Sequence, residues 1–154
     1  MLRRSSHAVF ECKYHLVWST KYRKRVLVEE HERKECAALL RRAAEEYGMW
    51  ILGIEVDVDH VHIYLEIPPQ RSVGRAVGIL KSLSARKMFK RFPYLRRKYW
   101  GGEFWEDSYF ARSVGESVTG VIVKEYLEKH RNEALGPAQG ELFPKERAES
   151  RRRR

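Results

Sequence analysis

The chain has 154 residues, enough for one domain with a proper core. Its 31 Lys and Arg outnumber 21 Asp and Glu, a formal charge of +10 that marks a polyanion as the natural partner. Two cysteines, Cys12 and Cys36, exclude a metal site built on thiolates, so any metal must use imidazole, carboxylate or amide ligands.

No apolar run reaches the length of a membrane span and no apolar leader follows the N-terminus, so a soluble cytoplasmic protein is expected. No basic amphipathic helix with an aromatic apolar face points to a lipid surface. Asn132, Gln70 and Gln139 are the only side-chain amides, a composition that fits a heat-adapted prokaryotic protein.

Residues 1–7 read as a loose basic tail. From Ala8 to Trp18, apolar residues alternate with Glu11, Lys13 and His15, which predicts a first strand with one wet face. A basic loop, Thr20 to Arg25, follows. Glu29 to Tyr47 is predicted as a helix, with Cys36, Leu39, Leu40, Ala43 and Tyr47 on one stripe and Gly48 as its stop. Trp50 to Val58 reads as a second strand that turns its even-numbered residues, Leu52, Ile54, Val56 and Val58, to the core.

A tight turn at Asp59 leads into the most informative stretch. Apolar and polar residues alternate from His60 to Ile67, the period of a half-buried strand. Val61, Ile63, Leu65 and Ile67 then face the core, and His60, His62, Tyr64 and Glu66 share the other, open face. Two imidazoles at i and i+2 on one sheet face can grip a single ion or phosphate. They are equally compatible with an ordinary solvated strand.

Pro68-Pro69 ends that strand. Ser72 to Arg91 is predicted as a second helix with Val73, Val77, Leu80, Leu83 and Met88 inward. Arg75, Lys81, Arg86 and Lys87 are among the cations that decorate it. Pro93 to Trp100 is a basic, aromatic linker carrying Arg96, Arg97 and Lys98. Glu103 to Ser113 is predicted to hold a last strand, and Gly115 to Arg131 a last helix. The basic end of the chain, residues 136–154, is expected to be disordered, leaving 1–135 as the domain.

The order β-α-β-β-α-β-α predicts an α+β, ferredoxin-like (RRM-like) fold: an antiparallel sheet, two helices on one face and a C-terminal helix. On that last helix Tyr126 and His130 lie four residues apart, within about 6 Å at Cβ. If their face meets the histidine face, three imidazoles and one phenol converge. Imidazoles can hold a divalent ion, and the phenol is an oxygen nucleophile able to form a covalent intermediate. Packing of Tyr126 in the core, and of His130 against a helix C-terminus, explains the same residues without chemistry.

Several motifs in series resemble the single-tyrosine HUH transposases of the IS200/IS605 family. Asp59-His60-Val61-His62 is similar to the family's HUH strand, and Leu80-Lys81-Ser82 to its second-helix motif. Tyr99-Trp100-Gly101, Phe104-Trp105, Tyr109-Phe110 and Val114-Gly115 resemble the run before the nucleophile helix. Tyr126 to His130 is similar to its Tyr-Ile-x-x-Gln element. The resemblance covers residues 7–131.

It implies a transposase that cleaves and rejoins single-stranded DNA at the ends of an insertion element. Tyr126 would attack the scissile phosphate, giving a 5′-phosphotyrosine and a free 3′-OH. His60, His62 and His130 would hold Mg²⁺ or Mn²⁺ on that phosphate. The implied partners are single-stranded DNA with imperfect end hairpins and a second copy, in a homodimer of joined sheets. The family's third ligand is commonly Gln, and here it is His130. Three imidazoles suit Zn²⁺, Ni²⁺ or Cu²⁺ better than Mg²⁺, with Mn²⁺ a compromise.

Arg75, Lys81, Arg86, Lys87, Arg96, Arg97 and Lys98 are the expected DNA contacts, with Lys81 alternatively structural and the nearby aromatics available for stacking. Two rivals stay open. One is a domesticated relative that nicks repetitive palindromes. The other is a non-catalytic nucleic-acid-binding module, which would carry aromatics on the open strands where this chain has His60, His62 and Glu66.

Overall fold

The computed structural model describes residues 2–98 and 102–115. The expected last helix with Tyr126 and His130, the tail 136–154, and the motif residues Tyr99, Trp100 and Gly101 lie outside the described residues.

The elements run β1 (Arg3–Arg4), β2 (Val9–Phe10), β3 (Lys13–Ser19), α1 (Glu30–Glu46), β4 (Trp50–Val56), β5 (His60–Glu66), α2 (Val73–Arg91) and β6 (Phe110–Val114). Strands β3 to β6 form one antiparallel sheet in the order β4-β5-β3-β6. Each helix crosses from one strand to another over the same face, the split βαβ arrangement of the ferredoxin-like fold.

That face is the core. Leu16 and Trp18 of β3 pair with Ile63 and Val61 of β5. They meet Cys36, Leu39, Leu40 and Ala43 of α1 and Ala76, Val77, Leu80 and Met88 of α2 in one buried cluster. Helix α1 starts at a capping box, in which Glu29 and Glu32 each accept from the other's backbone N–H. It stops at Gly48, whose φ of 66° suits a residue without Cβ. Tyr47, expected on the inner stripe, is exposed, because it is the cap residue and no longer helical. Helix α2 starts where the Ser72 hydroxyl accepts from the Arg75 N–H at 3.1 Å.

Five expectations need correction. The tail 1–7 is partly ordered: β1 pairs with β2, the Arg3 Nε donates to Glu66 Oε1 at 2.6 Å, and its guanidinium lies 3.9 Å from the Trp50 ring centroid. The strand expected from Ala8 to Trp18 is two strands, interrupted at Glu11 and Cys12, where the chain leaves the small hairpin and joins the main sheet.

The phase of β4 is also shifted. A bulge between Ile51 and Gly53 places Ile51, with Ile54 and Val56, against the core, where strict alternation expected Leu52. The strand ends at Val56, because the Asp57 N–H turns back to the His60 carbonyl at 2.8 Å. Finally, the stretch 103–113 is mostly a packed loop. Within it Trp105 bridges Thr20, and β6 begins only at Phe110.

Candidate active site

Strand pairing decides which polar residues share the second sheet face. His60 lies opposite Ser19, His62 opposite Val17, Tyr64 opposite His15 and Glu66 opposite Lys13. Opposed residues in an antiparallel pair point the same way. This face was expected to be open, or covered by the last helix. It is buried: His60 is 4% exposed, His62 and Tyr64 0%, and Glu66 1%. At the Glu66 end Arg3 of the N-terminal hairpin closes over the face. The wet face expected for the first strand is likewise buried at Lys13 and His15.

The two predicted imidazoles adjoin. The ring centroids of His60 and His62 are 5.2 Å apart, nearly edge to face. His60 Nδ1 lies 2.6 Å from Asp59 Oδ1. That hydrogen bond holds the Asp59 carboxyl below the usual carboxylate range; burial opposes it, and the charges of His60, Arg23 and Arg25 add to it. An ionised carboxylate can only accept, so His60 Nδ1 carries the hydrogen. In the neutral ring Nε2 is then the atom with the lone pair. Nε2 is buried with no hydrogen-bond partner, and the nearest carboxylate, Asp57, is 4.0 Å away. A buried nitrogen lone pair costs free energy unless something occupies it. A ring held by a carboxylate through one nitrogen and presenting the other is the usual form of a metal-ligating histidine.

His62 is held differently. Its Nδ1 lies 3.1 Å from Nε2 of His15 on β3, with the rings near parallel at 19° and 5.3 Å between centroids. His15 entered the sequence reading only as part of a wet strand face. Its place in the site follows from the strand order: β3 neighbours β5, and parity puts His15 on the histidine face. Among the described residues no three His, Cys, Asp or Glu side chains converge as a metal-holding group. For a metal ion the pair alone would be an incomplete donor set, and a third ligand would have to be brought to it.

The strand that carries the site is anchored from below. Thr20 donates to the Asp59 carbonyl from its N–H at 2.9 Å, and its hydroxyl hydrogen goes to the Lys24 carbonyl at 2.6 Å, with the Asp59 oxygen 3.2 Å away. Next to it Lys21, 3% exposed, sits among Glu103 at 2.6 Å, Glu106 at 3.5 Å and Asp107 at 3.9 Å. Burial pulls the Lys21 ammonium down, and the three carboxylates more than offset it, so its pKa is raised.

Lys81 reaches the same loop from α2. Its ammonium donates to the carbonyls of Glu106 and, at 3.0 Å, Ser108. That places it as a brace between α2 and the approach to β6. Burial pulls its pKa down to about 8; Asp107 and Glu106 oppose the shift and Lys21 adds to it. The unfolded chain, with an ordinary lysine near 10.4, binds more protons across the window from about 8 to 10.4. Stability should therefore gain from this group as pH rises through that window. Urea midpoints at pH 7.5 and 9.5 should show this gain in the wild type relative to Lys81→Met. Parallel pH dependences in the two proteins would show that the lysine titrates normally.

Of the other basic candidates, Arg75, Arg86 and Arg96 line two grooves along α2. Arg75 and Arg86 line one of about 470 Å³, with Tyr47, Gly78 and Ser82. Arg86, Lys81 and Arg96 line a second of about 480 Å³, with Phe89 and Phe104 and the carboxylates of Glu103, Glu106 and Asp107. Lys87, Arg97 and Lys98 line neither groove. Arg97 and Lys98 are exposed, and Arg96 lies over the Phe89 ring at 4.9 Å. Because α2 packs on the core face, these grooves and the imidazoles belong to opposite layers of the sheet. Phe104 and Trp105, among the aromatics available for stacking on sequence grounds, are buried in the core.

A ferredoxin-like sheet with an oriented His-x-His pair on its inner strand is the framework of an HUH-type nucleic-acid enzyme. The family model for IS200-like transposases matches residues 8–130, and the chain belongs to that family. It is 38% identical over 125 residues to the ISDra2 transposase TnpA of Deinococcus radiodurans, covering 81% of this chain and 89% of that protein. It is 34% identical over 128 residues to the transposase for insertion sequence element IS200 of Salmonella typhimurium, covering 82% and 84%. A crystal structure described as a transposase from Deinococcus radiodurans superposes with a TM-score of 0.67 at 37% identity, covering 82% of this chain and 96% of that one. The protein is thus a DNA-processing enzyme of the transposase class. Among the described residues no helix is long and apolar enough to cross a membrane.

Proposed function

We propose that this transposase cleaves and rejoins single-stranded DNA at the ends of an insertion element through a 5′-phosphotyrosine. The observation that carries the reading is the His60–His62 pair, with rings 5.2 Å apart and the His60 Nε2 buried without a hydrogen bond. That donor set fits a divalent cation. His60 and His62 would hold it, with His130 as the third ligand, and Mn²⁺ or Mg²⁺ as the ion. When bound, the ion would polarise the scissile phosphate and spread the charge that develops there.

Tyr126 is the nucleophile in this reading. The phenol gives its proton to solvent as its oxygen forms the bond to phosphorus, the P–O3′ bond breaks, and the 3′ oxygen leaves and takes up a proton from solvent. The reverse attack by another 3′-OH rejoins the strand, so the phosphodiester bond energy is retained without ATP. Asp59 keeps His60 turned toward the phosphate throughout. The groove lined by Arg75 and Arg86 on α2 supplies phosphate contacts for a DNA hairpin, and a second copy with its sheet joined to this one completes the assembly.

The test is incubation of the purified chain with Mn²⁺ and single-stranded oligonucleotides from the flanks of its own gene. A protein–DNA adduct that survives denaturing gel electrophoresis, with a 5′ phosphate on the tyrosine, is the expected product. Binding of those oligonucleotides with no adduct at any divalent ion would overturn the catalytic reading in favour of a binding module.

A further inference from the structure

We propose that His15 is a positioning residue: it fixes the tautomer and the orientation of His62 as Asp59 does for His60. The inference deepens the metal reading above and rests on it. Both rings are fully buried. His15 Nε2 and His62 Nδ1 are 3.1 Å apart, so one nitrogen donates and the other accepts.

Ligand chemistry decides the direction. If His62 presents Nε2 to the ion, that nitrogen has the lone pair and Nδ1 has the hydrogen. His62 Nδ1–H then donates to His15 Nε2, and His15 must carry its own hydrogen on Nδ1. The two candidate ligands are thereby held in the same way through Nδ1, one by a carboxylate at 2.6 Å and the other by a neutral imidazole. Both supports come from rigid places. Asp59 is fixed through its carbonyl by Thr20, and His15 sits mid-strand in β3, edge to face with Phe110 at 6.0 Å. Groups of this kind commonly change metal affinity by about 10–100-fold when they are removed.

The full chain carrying His15→Phe keeps a ring in the strand and loses the acceptor; His15→Gln keeps a polar partner. Mn²⁺ affinity is read by electron paramagnetic resonance, and the histidine tautomers of the metal-free wild type by ¹⁵N-edited NMR. The expected results are a loss of about 10–100-fold in Mn²⁺ affinity for the Phe variant, recovery of most of it in the Gln variant, and an Nδ1–H tautomer for His62. Unchanged Mn²⁺ affinity in a folded His15→Phe protein would overturn the proposal, and so would an Nε2–H tautomer of His62 in the wild type. If the Phe variant does not fold, the wild-type tautomer and the Gln variant still decide. A wild type that binds no Mn²⁺ would sink the metal reading itself, while the His62 tautomer would judge the role of His15 separately.

Discussion

Tyr126→Phe should abolish the covalent protein–DNA adduct while leaving DNA and Mn²⁺ binding in place. The substitution removes one oxygen atom. If that oxygen makes the bond to phosphorus, nothing in the variant replaces it, and losses of about 10⁴-fold or more in rate are usual when a nucleophile is removed. His60 and His62 stand on β5 and are held by Asp59 and His15, so binding of the ion should survive. The separation of effects is the useful part. His60→Ala should weaken both Mn²⁺ affinity and adduct formation, whereas Tyr126→Phe should affect only the second. Adduct formation is followed on denaturing gels and Mn²⁺ affinity by paramagnetic resonance. Wild-type levels of adduct in Tyr126→Phe would move the nucleophile to another side chain.

The framework of this site was legible because it depends on period and order. The alternation from His60 to Ile67 put both imidazoles on one face, and the element order put β3 beside β5. Two things were not legible. One was the burial of the histidine face, since alternation says which residues share a side and nothing about what packs over it. The other was His15: parity placed it correctly, but its contact with His62 is diagonal across two strands and depends on a register that no local pattern specifies. The bulge in β4 has the same origin. Leu52 and Ile51 are equally apolar, and the choice between them is made by the match of β4 to β5. Lys81 shows a further limit. A lysine on a basic helix reads as a phosphate contact, and only the fold reveals two backbone carbonyls at its ammonium.

Trp105→Ala should be the most destabilising single change in the loop that precedes β6. The indole is 5% exposed, packs edge to face on Trp18 at 6.1 Å and on Phe104 at 4.6 Å, and donates to the Ser84 hydroxyl at 2.8 Å. That hydroxyl has one hydrogen, and it goes to the Leu80 carbonyl at 2.6 Å. The truncation leaves a cavity beside α2 and removes the indole donor, for about 3–5 kcal/mol in total. At roughly 2–4 °C per kcal/mol for a chain of this size, Tm should fall by about 6–20 °C. Trp105→Phe refills most of the volume and should cost less, by about the 1–3 kcal/mol ascribed to an unmade buried hydrogen bond and residual space. The loss should also reach the site. Trp105 bridges Thr20, and the Thr20 N–H donates to the Asp59 carbonyl, one residue before His60. The bridge is made by backbone groups, so the truncation acts on it only by loosening the loop that carries it; Asp59 is then less firmly placed and Mn²⁺ affinity should drop, even at temperatures where Trp105→Ala is still folded. Urea unfolding and Mn²⁺ titration on the same samples check both halves. A destabilised Trp105→Ala with wild-type Mn²⁺ affinity would show that β5 holds Asp59 and His60 without help from the loop.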